Sequence, residues 1–471
     1  MSNKLGPVTL PQDGAGSYDT IDPLDNRYYD AEIARYISER SRIAYQAYVE
    51  AALAQTLADY GICSHKVADE IEAATSRVRA EDVYEHEKTT KHDIKALVNT
   101  IKREISDEAK PFVHFGATSY DIIATANALQ MRDIVQQVVI PRQKKLLKTL
   151  ITLTETYAET RQIGRTHGQH AVPITFGFAI SEYVSRLGNS MEALQDLTGM
   201  LHGKFSGAVG AYNALSVFVD EPLAFEQSVL AKVGLTPAPY STQIIPPEEL
   251  IRLIDEMAIS AGIMANLAHD MRHLQRSEIS EVRERFEKGQ TGSSTMAHKR
   301  NPWNFENVVS MSKQVLAQTL NANLNISSEH QRDLTDSASS RFYVTVPAIV
   351  AGMASRLNKI MDKLEVDDVA MQRNLALSSG AIAAEPLYLL FEKHGHIEAH
   401  EMSKRLAHQA LASKVSLVNA IMTNAEARKY WDTFSKAEKN IITSPEEYYS
   451  GLAAQKAKLI AANWKSRLAG K

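Results

Sequence analysis

The chain has 471 residues, 44% hydrophobic and 23% charged, with a formal net charge of -4 at pH 7. That length exceeds what a single hydrophobic core sustains, so two or three domains are expected, and Gly and Pro are too few for a disordered chain. Acidic and basic residues alternate instead of gathering into arms, which argues against a nucleic-acid partner, and nowhere do enough apolar residues run together to span a membrane.

Residues 1–20 have no apolar block behind a basic start and do not read as a secretory leader. Beyond them, the runs 27–60, 62–110, 117–140, 142–163, 263–288 and 303–346 contain neither glycine nor proline, which predicts long helices. Cys63 is the single cysteine, so neither an intramolecular disulfide nor a Cys-rich metal centre is expected, and a reducing, cytoplasmic setting fits. Leu146, Leu147, Leu150, Ile151 and Tyr157 form one helical stripe; Ile259, Ile263, Leu267, Met271 and Leu274, spaced by four, four, four and three, form another. The expected fold is all-α, with helical domains at 1–118, 119–371 and 372–471, the middle one a bundle of long helices with those stripes in its core. No repeat period or low-complexity tract points to a solenoid.

Helix breakers cluster at 111–116, 164–177, 203–210, 237–247 and 289–302. In a helical protein such segments are the loops where polar groups converge. The densest stretch is G-Q-T-G-S-S-T-M-A-H-K-R-N-P-W-N-F-E-N at 289–307. Its glycines and serines give flexibility, and His298, Lys299, Arg300 and Asn301 crowd donors and positive charge together, which suits closure over an anionic substrate. The plainer reading of the H-K-R run alone is a solvated basic turn. At 164–169, G-R-T-H-G-Q sets His167 between glycines at the end of a long helix. Histidine titrates nearest neutrality and is a natural proton donor to a leaving group, although a lone histidine is more often structural. Lys91-His92-Asp93 puts another histidine beside a carboxylate, and H-F-G-A-T-S at 114–119 supplies hydroxyls after a glycine. Residues 199–204 are too short for a phosphate-cradling loop, 207–210 is no dinucleotide fingerprint, and neither a G-x-S-x-G elbow nor an H-E-x-x-H helix occurs.

Taken together these segments resemble the fumarase and aspartase superfamily, whose signature loop G-S-S-x-M-P-x-K-x-N falls here at 292–301. G-R-T-H-G-Q at 164–169, Thr90-Lys91-His92-Asp93, the segment 114–121 and S-E-H-Q-R-D-L-T-D-S at 328–337 are similar to its adenylosuccinate lyase branch. The matches keep their order from Asp25-Asn26-Arg27-Tyr28 to Arg341. The resemblance implies cleavage of adenylosuccinate to AMP and fumarate, and of succinyl-aminoimidazole carboxamide ribotide in purine synthesis. It also implies a homotetramer with each active site built by three subunits, and neither metal nor cofactor. It assigns Ser293 as the base that removes the β-proton, His167 as the acid that protonates the departing nitrogen, and Glu306 as the group that keeps His167 charged. Lys299 and Asn301 would grip the succinyl carboxylates beside Thr118, Ser119 and Gln243. Arg27, Tyr28, Arg332, Ser337 and Arg341 would take the nucleotide, with Lys91, His92 and Asp93 completing the contacts and His92 counted among the catalytic groups.

Three departures from the pattern bear on the fine geometry of the pocket: Ala297 replaces the signature proline, His170 stands where the branch has proline, and Pro247-Glu248 follow the Gln243 segment. The rival readings are a sister lyase acting on argininosuccinate or another succinyl adduct, a cycloisomerase sharing the loop, and a non-catalytic relative. Arg332, Ser337 and Arg341 favour a phosphorylated substrate.

Overall fold

The computed structural model describes residues 21–286, 295–296, 298–377 and 382–470. Helices dominate, as expected, with two small two-stranded antiparallel sheets among the described residues. Two compact units are built from interleaved segments: Met1–Val139, Gln195–Asp255 and Ala317–Gly352 form the first, and Ile140–Leu194, Glu256–Leu316 and Met353–Lys471 the second.

The first unit opens with α1 (Ala31–Ile37), α2 (Glu39–Asp59), α3 (His65–Thr75), α4 (Ala80–Thr90), α5 (Asp93–Arg103) and α6 (Ser119–Ile134). Helix α2 is its spine: Ile43, Leu53 and Leu57 are buried, and Ala51, Ala52 and Ala54 let neighbouring helices approach closely. Each buried leucine or isoleucine stabilises the unit by about 1.5–3 kcal/mol. The breaker-free runs 27–60 and 62–110 are not single helices. Ser38 ends one helix and caps the next, its Oγ accepting from Ser41 N at 3.3 Å, and Ser64 caps α3 in the same way. Lys91, at φ 51°, stops α4 in a left-handed turn. Polar caps and left-handed residues terminate helices as effectively as glycine or proline.

Proline 141 shows the converse. It lies inside α7 (Ile140–Thr156), where its ring would meet the carbonyl four residues back, and a single π turn at Val135–Val139 sits directly ahead of it. In the second unit Leu146, Leu147, Leu150 and Ile151 of α7 are buried as the stripe predicts. There follow β1 (Arg161–Thr166), β2 (Gln169–Thr175) and α8 (Phe176–Thr198); then α9 (Pro222–Lys232) in the first unit; then α10 (Glu248–Leu274), α11 (Trp303–Leu324) and α12 (Thr345–Met361). On α10, Ile263, Leu267 and Met271 are buried, but Ile259 is 55% exposed, so the second stripe is core for only part of its length. Shorter helices after Ala384 enclose a separate apolar cluster around Phe391, Met402, Trp431 and Phe434.

The last helix, Ala453–Ala469, returns to pack beside α7 and buries Trp464 against Gly188 of α8. A Cβ at Gly188 would come within 2.4 Å of the indole. Gly188→Ala should therefore overpack this seam and cost about 1–3 kcal/mol. A thermal melt reads it as a lowered midpoint, and an unchanged midpoint would contradict the packing described.

Candidate active site

Within the first unit, four of the segments singled out by sequence meet. Lys91 ends α4, and His92 caps α5, its Nδ1 accepting from Lys95 N at 3.4 Å. Arg341, in the short turn Ser339–Val344, lies 3.9 Å from the Asp93 carboxylate. Arg332 stacks over Tyr120, its guanidinium carbon 4.2 Å from the ring centre, donates to the phenol oxygen, and pairs with Asp336 at 2.9 Å. Gln243 N donates to Gln331 O at 3.2 Å, which brings the 237–247 loop to the same place. Ser337 Oγ donates to Leu334 O at 2.9 Å within the 331–341 segment. Arg27 and Tyr28 sit in a turn closed by Tyr28 N donating to Pro23 O at 2.9 Å; Arg27 is exposed and, among the described residues, bonds none of this group.

Thr118 and Ser119 are held from beneath. Asp121 is buried and accepts from Thr118 N at 2.8 Å and Gly207 N at 3.2 Å, while the fully buried Lys204 ammonium pairs with it and donates to Gly207 O at 3.2 Å. Ser206 and Ser241 hydroxyls are 2.7 Å apart, tying this loop to the strand of chain that carries Gln243. Gly210 makes the close approach possible: at φ 81° it lies so near Ser241 that a Cβ would be 2.0 Å from that carbonyl oxygen. The 199–210 region, which fits no nucleotide-binding template, is thus a scaffold. Asp121 and Lys204 escape a sequence reading, although Asp three residues after Thr118 is a helix-capping signal. His114 was noted only as part of its segment; it adopts φ 62° and its Nδ1 is 2.7 Å from the buried Glu50 carboxylate. Burial works against its charged form, but the Glu50 charge and hydrogen bond outweigh that and raise its pKa.

The second unit carries His167. His167 does not end a long helix: α7 stops at Thr156, and the residues after it form an antiparallel hairpin. Thr166 pairs with Gln169, leaving His167 at φ 54° and Gly168 at φ 72° as a two-residue turn of the type that matches strand twist. Gly164 sits at the register shift, where a Cβ would lie 2.7 Å from Val172 O. The imidazole is therefore presented on an exposed tip. Its base is fixed by Glu281, fully buried and bonded by Arg165, by Gln162 at 2.7 Å and by Asn374 at 2.7 Å. The arginine of G-R-T-H-G-Q is a structural anchor, and His170 pairs with it across the hairpin, its pKa lowered by burial and by that charge.

Ser293 and Ala297 lie outside the described residues. The feet of their loop are tied. Gln275 Oε1 accepts from Glu284 N at 3.0 Å and its amide donates to Arg300 O at 3.2 Å, while the buried Glu284 accepts from Phe305 N at 2.9 Å and Asn304 at 2.8 Å. Burial raises the Glu284 pKa despite those bonds. Lys299 is exposed, its N–H donating to Met296 O at 3.0 Å, and Asn301 is half-buried two residues before α11. Glu306, in the first turn of α11, is 3.7 Å from Arg272, and among the described residues no hydrogen bond joins it to His167. Pro247 accepts from Ile251 N at 3.0 Å and so opens α10.

Comparison with known proteins places this arrangement among the lyases: residues 24–317 match the family described as Lyase, and residues 328–438 match Adenylosuccinate lyase C-terminal. The adenylosuccinate lyase of Pyrococcus abyssi is 37% identical over 87% of this chain and 91% of its own, and that of Methanocaldococcus jannaschii is 32% identical over 94% and 95%. Among solved structures, a 3-carboxy-cis,cis-muconate lactonizing enzyme from Pseudomonas putida superposes with a TM-score of 0.83 at 25% identity, covering 95% of this chain and all of that one. The chain belongs to the adenylosuccinate lyase family.

Two outcomes follow from the buried carboxylates. Glu281→Ala leaves Arg165 without its buried partner and should cost about 3–5 kcal/mol, read as a lower unfolding midpoint; a loss below about 1 kcal/mol would mean the hairpin base is held otherwise. Because His114 has a raised pKa when folded, its contribution is complete below its ordinary value of about 6.5 and fades as pH rises through the folded value. The melting midpoint of the native protein should show that decline, and Glu50→Gln should remove it; identical pH profiles would refute the coupling.

Proposed function

We propose that the protein cleaves adenylosuccinate to AMP and fumarate, and succinyl-aminoimidazole carboxamide ribotide in the same way, by metal-free and cofactor-free acid/base elimination. The observation that carries the reading is the gathering of Lys91, Arg332 and Arg341 with Thr118, Ser119 and Gln243 in one unit of a chain that is net acidic overall. A substrate bearing two carboxylates and a phosphate needs such a local cationic field, which also stabilises the carbanion formed beside a carboxylate.

The chemistry divides as follows. The Ser293 hydroxyl, deprotonated, takes the β-proton; that C–H pair becomes the double bond of fumarate as the C–N bond breaks; His167 delivers a proton to the departing nitrogen. Serine can act as a base only where water is excluded and nearby cations and backbone donors favour the alkoxide, a setting to which Lys299 contributes. Glu306 stabilises the charged form of His167, and Lys299 and Asn301 hold the succinyl carboxylates. Arg27, Tyr28, Arg332, Ser337 and Arg341 take the nucleotide, with Lys91, His92 and Asp93 closing around it. The working form is a cytoplasmic homotetramer whose sites draw on three subunits. Support for assembly comes from apolar surface: Leu316, Leu320 and Leu324 recur every fourth residue on α11 and are 55%, 64% and 70% exposed, and Ile259 of α10 is 55% exposed.

Each proton-transfer residue is worth about a hundredfold to ten-thousandfold in rate. Ser293→Ala should bind adenylosuccinate while fumarate release drops to background, and His167→Ala should lose activity to a similar extent. An absorbance assay offering adenylosuccinate and argininosuccinate side by side tests substrate and mechanism together. Turnover of argininosuccinate alone, or near-native turnover by Ser293→Ala, would overturn the proposal.

A further inference from the structure

We infer that Tyr120 is the residue that sets the phosphate grip of this site: its ring and oxygen fix Arg332, and its hydroxyl hydrogen is donated to the phosphate of the bound nucleotide. The inference rests on the nucleotide reading given above and adds to it a residue that no motif identifies.

Arg332 is nearly buried, with only 8% of its side chain exposed. Three contacts hold it: the face of Tyr120 at 4.2 Å, the Tyr120 oxygen, which accepts from Nη2, and Asp336, 2.9 Å from Nη1. A guanidinium stacked on an aromatic face and pinned at both amino groups is fixed in its plane. Its Nε–H is buried and unpartnered. The phenol is in a complementary state. Its oxygen already accepts from Arg332, so its own hydrogen must go elsewhere, and among the described residues nothing accepts it. Burial raises the phenol pKa more than Arg332 lowers it, so that hydrogen stays in place at neutral pH. One stacked pair therefore offers two donors, Nε–H and O–H, that lack acceptors.

The buried Nε–H calls for an acceptor, since buried polar hydrogens are almost always paired in a working protein, and the half-buried phenol beside it offers a second donor to the same oxyanion. Tyr120 lies in the first turn of α6, where unbonded backbone N–H groups and the helix dipole also favour negative charge, and Arg341 stands nearby against Asp93. A phosphate monoester suits this place better than a carboxylate, because its three terminal oxygens can accept from the phenol and from Arg332 and still face a second cation. Asp336 and Asp93 flank the two arginines, holding them in place without neutralising both.

Calorimetric titration of the assembled enzyme with AMP, adenosine and succinate separates the possibilities. Tyr120→Phe keeps the ring and removes only the hydroxyl; it should weaken AMP about tenfold, the value of one hydrogen bond to a charged group, and leave adenosine and succinate unchanged. KM for adenylosuccinate should rise by a similar factor, with kcat falling by less. Tyr120→Leu, which also removes the stack, should weaken AMP further. If native enzyme binds AMP and Tyr120→Phe binds it equally well, or if adenosine or succinate weakens in step, the Tyr120 assignment fails while the nucleotide reading stands. Native enzyme that binds no AMP overturns both.

Discussion

The buried pair between Asp121 and Lys204 is the constraint that holds the first unit's candidate site together. Taking two charges out of water is expensive, and such a pair persists only where its remaining hydrogen-bonding capacity is met. Asp121 meets its share with the backbone of Thr118 and Gly207, and Lys204 with the Gly207 carbonyl. The same bonds that satisfy the charges therefore lock the start of α6 to the 203–210 loop. Through the Ser206 and Ser241 hydroxyls the lock extends to Gln243, and through Tyr120 to Arg332. A buried ion pair contributes little net stability, but it leaves no alternative register for the segments it joins.

The second unit uses buried carboxylates in the same role. Glu281 fixes the hairpin that presents His167, and Glu284 with Gln275 ties the two ends of the signature loop to α11. In each case a desolvated acid is surrounded by backbone and side-chain donors, and His167 and Lys299 are exposed. Rigid support beneath exposed groups suits elimination chemistry: proton donor and proton acceptor must be closely placed, yet substrate must enter and fumarate leave. Burial pushes the Glu284 pKa up, so this support also weighs its own charge against desolvation.

Helix boundaries show where local and long-range physics part. Caps at Ser38 and Ser64 and the left-handed Lys91 divide runs that composition alone would join, because a hydroxyl or a positive φ ends a helix without glycine or proline. Pro141 is carried inside a helix because a π turn relieves its clash. Ile259 follows the stripe of α10 yet is exposed, since periodicity reports that a face is apolar and not what covers it.

By itself the sequence determined the all-helical class, the family, and the segments at 91–93, 114–121, 164–169, 289–302 and 328–341 in which the chemistry is proposed to lie. Those follow from local signals: helix-forming runs, glycine and serine at loops, and polar residues in fixed order along a few positions of chain. Only the tertiary structure decided that His167 rides a hairpin, that Lys204 is a buried counterion and not a ligand-binding lysine, and that Tyr120 lies under Arg332. Tyr120 and Arg332 are more than two hundred residues apart, as are Arg341 and Asp93. Contacts at that separation arise from how helices pack, and no pattern confined to neighbouring positions along the chain encodes them.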